Sequence, residues 1–190
     1  SQDIVRVRTN VTIERRNFPQ FFITAPSPCP YLPSRLERKV FTHLVGPDAR
    51  SLHSQLSHGG FRRSQNIAYR PACDGCQACV SVRVPISTFQ WTRGFRRDLA
   101  RNSDLVSAVV KAEATSEQYS LFRAYIDTRH SEGGMANMTV LDFAAMVDDN
   151  LVDSRMVEYR LPADHPHAPN ELVAAVLLDV LGDGLSMIYS

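Results

Sequence analysis

Apolar and polar positions change period several times along the chain, and each change marks an expected element. IVRVRTNVTIERR alternates loosely and FPQFFIT follows, so residues 1–24 are expected to form short strands or an extended arm. Four prolines in the eleven residues APSPCPYLPSR (25–35) impose a stiff, irregular loop. Ser34 stands at a cap position for a helix over RLERKVFTHLV, with Glu37 at the capping-box position and Gly46-Pro47 as the stop. Asp48 then opens a second expected helix, ARSLHSQLSHGG, which Gly59-Gly60 ends. SVRVPISTF (81–89) alternates and is expected to be a strand, and the basic stretch 92–105 loops or a helical turn.

The second half has a clearer rhythm. Tyr119, Phe122, Tyr125 and Ile126 recur at helical spacing behind a cap at Thr115 or Ser116, and Gly133-Gly134 ends that helix. TVLDFAAMVDDN (139–150) gives another short helix. SRMVEYRLP and NELVAAVLLDVLGDGLSMIYS follow as strands, with Gly182-Asp183-Gly184 as a hairpin turn. The run Leu172–Leu178 is apolar enough to need cover on both faces. The order is therefore helix, helix, strand, strand, strand.

Composition adds little, but charge adds a division. The 190 residues are ordinary for a globular chain, at 44% hydrophobic and 22% charged. The longest apolar run is too short to span a bilayer, and SQDIVRVRTN lacks a signal-peptide core. A cytoplasmic location without membrane attachment is the expectation. The net charge of +1 hides 16 basic against 6 acidic residues in positions 1–101, a balance of +10. Positions 102–190 hold 5 against 14, a balance of −9. The basic half has Lys39 as its only lysine, and arginine's fork suits phosphate and carboxylate. A polyanionic partner or a solvated basic face both fit.

Cys73, Cys76 and Cys79 stand at three-residue intervals and can present thiolates to one metal. A ferredoxin pattern needs a fourth cysteine where Arg83 stands, so it is excluded. A zinc or iron–sulfur site would have to recruit Cys29; the other reading is four reduced cysteines that pack as small apolar groups. His53 and His58 are expected at the surface.

CPYLPSR together with GFRRSQNIAYRPACDGCQACVSVRVPISTF resembles bacterial aminoacyl-tRNA–protein transferases, above all the aspartate/glutamate leucyltransferases, relatives of the arginyl enzymes. FRAYIDTRHSEGGM, VEYRL and LVAAVLLDVLGDGLSMIYS extend the resemblance over about residues 20–190. It implies an α+β protein: a small Cys/Arg-rich α+β domain (1–92), then an acetyltransferase-like (GNAT-like) mixed sheet with helices (93–190). The family pattern continues past the equivalent of Tyr189, so only the front half of that second fold is expected here. The implied activity moves leucine or arginine from charged tRNA to the N-terminal Asp or Glu of an acceptor protein, in the N-degron route to degradation. No cofactor is required for such a transfer, and no coenzyme A is expected.

For that chemistry Arg62, Arg63, Ser64, Tyr69, Arg70 and Arg83 are candidates for holding the acidic N-terminus and the tRNA end, Tyr69 by stacking; the other readings are structural ion pairs or surface arginines, and a core position for Tyr69. Arg93, Arg96, Arg97 and Arg101 are candidates for tRNA phosphates, with Trp91 and Phe95 stacking or anchoring the loop. Glu158 and Asp179 are carboxylates on expected strands that could take the amine's proton; a solvated strand face is the other reading. The competing class is a non-enzymatic RNA-binding module organised by a cysteine-bound metal. Acetyl transfer is disfavoured by the lack of a Gly-rich pyrophosphate loop after the last strand.

Overall fold

The computed structural model describes residues 18–149 and 151–190, so the expectation for residues 1–17 lies outside the described residues. The architecture is mixed α+β, with strands in three antiparallel sheets.

The first sheet has the order β1-β4-β6-β5, from β1 (Phe22–Ile23), β4 (Lys39–His43), β5 (Arg62–Ser64) and β6 (Ile67–Pro71). Two minor strands, β2 (Ser27–Pro28) and β3 (Leu36–Glu37), form a separate pair. The helix expected over 35–45 is therefore absent. Val40, Phe41 and Thr42 are β-branched or aromatic, and their burial alternates: Thr42 and Leu44 point inward while His43 is exposed. Ser34 is no cap; its φ of 59° places it in the left-handed region, in the turn between β2 and β3.

Helix α1 (Ala49–His58) forms where expected and ends at Gly59. It lays Ala49, Leu52 and Leu56 on the inner face of the sheet, in a core with Leu44, Ala68 and Val152. Val152 comes from the second half of the chain, so this core is built from both halves.

Residues 81–89 are not a strand. Val80, Val82, Val84 and Ile86 are all strongly exposed, and only a 3₁₀ turn forms, at Ile86–Thr88. Alternation alone does not make a strand, and no described strand pairs with this segment. The segment is pinned by side chains instead: the Ser81 hydroxyl donates to the Gly60 carbonyl (2.9 Å) and Arg83 pairs with Asp183 (3.0 Å). Gly60 has φ +80°, and a Cβ there would lie 3.3 Å from Ser81 Oγ, so both backbone and space call for glycine.

Helix α2 (Arg93–Arg101) follows, and after it the second sheet, ordered β10-β9-β8-β7. Its strands are β7 (Val106–Lys111), β8 (Ser154–Arg160), β9 (Leu172–Leu181) and β10 (Gly184–Tyr189), the last two joined by the expected hairpin. The strand β7 has no counterpart among the elements expected from sequence. Helices α3 (Ser116–Arg129) and α4 (Val140–Asp148) connect β7 to β8, each opened by a complete capping box, at Thr115/Gln118 and Thr139/Asp142. They cover one face of the sheet, where Phe143, Met146, Val147, Met156 and Leu177 form the core. Register places Val109, Val157, Val176, Leu178 and Met187 on the opposite face. No described helix lies across that face, and Val109 (69%) and Met187 (65%) are largely exposed.

Candidate functional site

The two sheets are joined by buried charge. Arg63, on the inner face of β5, aims its guanidinium at Asp179 of β9: Nε to Oδ2 is 2.5 Å and Nη2 to Oδ1 is 2.7 Å. The Ser154 hydroxyl accepts from Arg63 Nη2 (3.1 Å) and donates to Asp179 Oδ1 (2.6 Å), while Arg63 Nη1 donates to the Gln65 carbonyl (2.7 Å). His53 of α1 completes the cluster, with Nε2 3.4 Å from Asp179 Oδ2. It is buried, not at the surface as its sequence setting suggests. Burial holds its pKa below the ordinary histidine value; Asp179 opposes that shift and Arg63 adds to it. Arg63 and Asp179 thus spend their charges on each other, inside the protein.

The outer face of the first sheet is different in character. Cross-strand pairing of Phe22 with Phe41 and of Tyr69 with both Phe41 and Arg62 puts these side chains on one face, together with His43 and Ser64. Phe22 and Phe41 stack at 5.4 Å, His43 meets both edge-on, and Lys39 Nζ lies 5.9 Å above the Tyr69 ring. Aromatic rings interleaved with cations on an open sheet are the physical form of a platform for unpaired bases.

The remaining predicted arginines separate. Arg62 is exposed and makes no ion pair among the described residues. Arg70 donates to the Gly59 carbonyl (3.2 Å) and stacks over Phe61. Arg83 shares Asp183 with His58, each at 3.0 Å; desolvation raises the Asp183 pKa, but these two partners outweigh it and hold the carboxyl below its ordinary value. Arg93, Arg96, Arg97 and Arg101 lie on the exposed helix α2, where helical spacing sets them opposite Phe95 and Leu99. Phe95 packs on Phe89 and Phe89 on Trp91, a local aromatic cluster at the start of the helix, and the Thr92 side chain caps it by accepting from the Phe95 amide.

A cavity of about 660 Å³ opens in the second half, between α3, α4 and β9. Its walls include Phe122, Ile126, Met146, Met156 and Leu177, with Gln118, Tyr125 and His130 as polar groups. Glu158 stands behind this wall. Its Oε1 accepts from Gln118 Nε2 (2.8 Å) and its Oε2 from Arg160 Nη2 (2.8 Å) and Nε (3.1 Å), so both oxygens are engaged. Tyr189 lines the cavity, and its hydroxyl lies 3.5 Å from the Ser64 hydroxyl on the outer face of the first sheet. Nothing in the sequence pointed to the cavity as a site, since Phe122 and Tyr125 look like ordinary helix-face residues there.

The cysteines do not assemble. Among the described residues no three His, Cys, Asp or Glu side chains are placed to hold one metal ion. Cys29 Sγ accepts from the Leu32 amide (3.4 Å), and Cys73 Sγ accepts from the Arg38 amide (3.4 Å). Cys76 and Cys79 are free thiols as well. A zinc or iron–sulfur site at Cys29, Cys73, Cys76 and Cys79 therefore has no support among the described residues: Cys29 Sγ closes a local turn, whereas Cys73 Sγ is bonded to Arg38, far away in sequence.

Comparison with known proteins defines the class first. Residues 27–97 match the family model of the N terminus of arginine-tRNA-protein transferase, and residues 117–190 that of its C terminus. The aspartate/glutamate leucyltransferase of Bradyrhizobium sp. (strain ORS 278) is 62% identical over 183 residues, covering 95% of this chain and 71% of the relative. Those of Afipia carboxidovorans (62% over 180 residues) and Nitrobacter hamburgensis (61% over 182 residues) align with the same coverage. The chain belongs to the aspartate/glutamate leucyltransferase family, a group of aminoacyltransferase enzymes. No helix among the described residues is long and apolar enough to cross a membrane.

Proposed function

We propose that the protein transfers leucine from leucyl-tRNA to the N-terminal Asp or Glu of an acceptor protein, marking that protein for degradation. The observation that carries this reading is the contact between Ser64 and Tyr189. It joins an aromatic, basic sheet face suited to an unpaired nucleic-acid end with an apolar cavity suited to an amino-acid side chain.

In this reading the arginine stripe of α2 meets tRNA phosphates and the Phe22, Phe41 and Tyr69 face stacks the single-stranded 3′ end. Arg62 receives the acceptor's carboxylate. It lies two residues from Ser64 on the same strand face, roughly 7 Å along the strand. A bidentate arginine contact explains why an acidic N-terminal residue would be chosen. The acceptor's neutral α-amine attacks the ester carbonyl, the carbon–oxygen bond to the ribose breaks, and the amine proton ends on the released ribose oxygen. No electron changes hands. Positioning is the enzyme's main contribution, because the ester is already activated. Asp179 has no part in proton transfer, being enclosed by Arg63, Ser154 and His53, and Glu158 serves to hold Gln118 at the cavity wall.

The test incubates the protein with leucyl-tRNA or arginyl-tRNA and with peptides beginning in Asp, Glu or Ala, and reads the products by mass spectrometry. Addition of leucine to the two acidic peptides is expected. Binding of RNA without transfer would favour a non-enzymatic module instead.

A further inference from the structure

The cavity between α3, α4 and β9 is larger than any packing defect, and its volume falls in the range of small-ligand sites, about 300–1,000 Å³. Its chemistry is one-sided. None of the described residues that line it is Asp, Glu, Lys or Arg. Its deep wall is made of Phe122, Phe143 and Leu177 together with the flexible thioethers of Met146 and Met156, which adapt to a branched aliphatic shape. Ala175 of β9, on the inner face opposite Glu158, keeps the space open because it has only a methyl group. Polar groups stand apart from that wall: Gln118, fixed by Glu158, and the Tyr125 hydroxyl, 3.3 Å from His130 Nε2.

We propose that this cavity receives the side chain of the donor amino acid, and that its uncharged lining is what selects leucine over arginine. The proposal rests on the aminoacyl-transfer reading above. A leucyl side chain exchanges water for apolar wall, which is favourable. An arginyl side chain would lose its hydration and meet no carboxylate, which is not. With the side chain in the cavity, the ribose is directed toward Tyr189 and Ser64. The strand face carrying Arg62 then comes within reach of the reacting carbon.

The test uses the full chain and two stable mimics of the charged tRNA end, adenosines carrying leucine or arginine through a 3′-amide. Calorimetry should show the leucyl mimic binding at least about tenfold more tightly than the arginyl one, the lower end of what apolar side-chain discrimination gives. Ala175→Phe should cut kcat/KM for leucyl-tRNA at least about tenfold, while uncharged tRNA binding and the thermal midpoint are retained. Val173→Trp, at a more exposed part of the wall, is read in the same way if Ala175→Phe does not fold. Equal affinity for the two mimics, or both variants transferring leucine within about twofold of wild type, overturns the assignment. A wild-type protein that selects the leucyl mimic yet transfers nothing to acidic peptides keeps the site and removes the transferase reading.

Discussion

Arg63 and Asp179 meet two nitrogens to two oxygens, with both side chains fully withdrawn from solvent, and they come from strands of different sheets. This pair is the rivet that holds the basic, aromatic face of the first sheet beside the cavity of the second. An arginine next to a cysteine loop suggests substrate binding when only the sequence is known. Its burial makes it a part of the frame.

Replacing Asp179 leaves the buried Arg63 guanidinium without a carboxylate, and replacing Arg63 leaves Asp179 with only the Ser154 hydroxyl and His53 beside it. Arg63→Met or Asp179→Leu should each lower the unfolding free energy by roughly 3–5 kcal/mol. The double variant should recover much of that loss, since two apolar side chains of similar size leave no orphan charge. Urea unfolding of the three variants measures both numbers. Additive losses would show that the pair is not the coupling element.

His53 gives the same cluster a pH dependence. Its folded pKa lies below that of the unfolded chain, so the unfolded state binds more protons as pH falls. The stability it contributes is present above about pH 6.5, the ordinary histidine value, and is lost as pH falls toward the folded pKa. His53→Gln should flatten that part of the stability–pH curve. An unchanged slope between pH 7 and 5, as windows of measurement, would assign the dependence to other groups.

The four arginines of α2 carry a salt signature. Each phosphate contact contributes a slope near 0.7–0.9 in log K against log salt, so removing all four should reduce the slope for tRNA by about 3. Affinity should fall with it, and the fold should be unaffected because the helix buries none of its residues. A variant whose tRNA slope matches wild type would place the tRNA elsewhere.

Arg62 separates acceptor from donor. Arg62→Ala should reduce kcat/KM for an Asp-starting peptide by roughly ten- to a hundredfold, the worth of a charged hydrogen bond of about 1.5–3 kcal/mol. The KM for leucyl-tRNA should change little, and Arg62→Lys should restore part of the loss. Equal damage to both substrates would assign Arg62 to the tRNA surface.

The second half of the chain was largely legible from its sequence. Thr115 and Thr139 head true capping boxes, the period of α3 survives, and the hairpin at Gly182-Asp183 stands where its glycines put it. Besides burying His53, the first half misled about its elements in two places for one reason. Ser34 with Glu37 mimics a helix start, yet Val40, Phe41 and Thr42 are claimed by pairing with β6, a long-range contact that local signals do not report. SVRVPISTF alternates like a strand and has no described strand beside it. The site was harder to read. Arg63 and Arg62 are sequence neighbours of identical type, and only the two-residue period of β5 sends one into the core and leaves the other outside. The cavity was illegible because the same apolar residues would describe a filled core.

The face of the second sheet that no described helix covers, where Val109 and Met187 are exposed, has a practical consequence for anyone handling these 190 residues. Fluorescent dyes such as ANS bind contiguous apolar surface, and a signal of that kind is commonly taken as the mark of a molten globule. A fully native sample of this chain should light up with ANS while keeping the sharp near-ultraviolet circular dichroism of fixed aromatic packing among Tyr119, Phe122 and Phe143. Dye fluorescence alone would then discard good protein as misfolded.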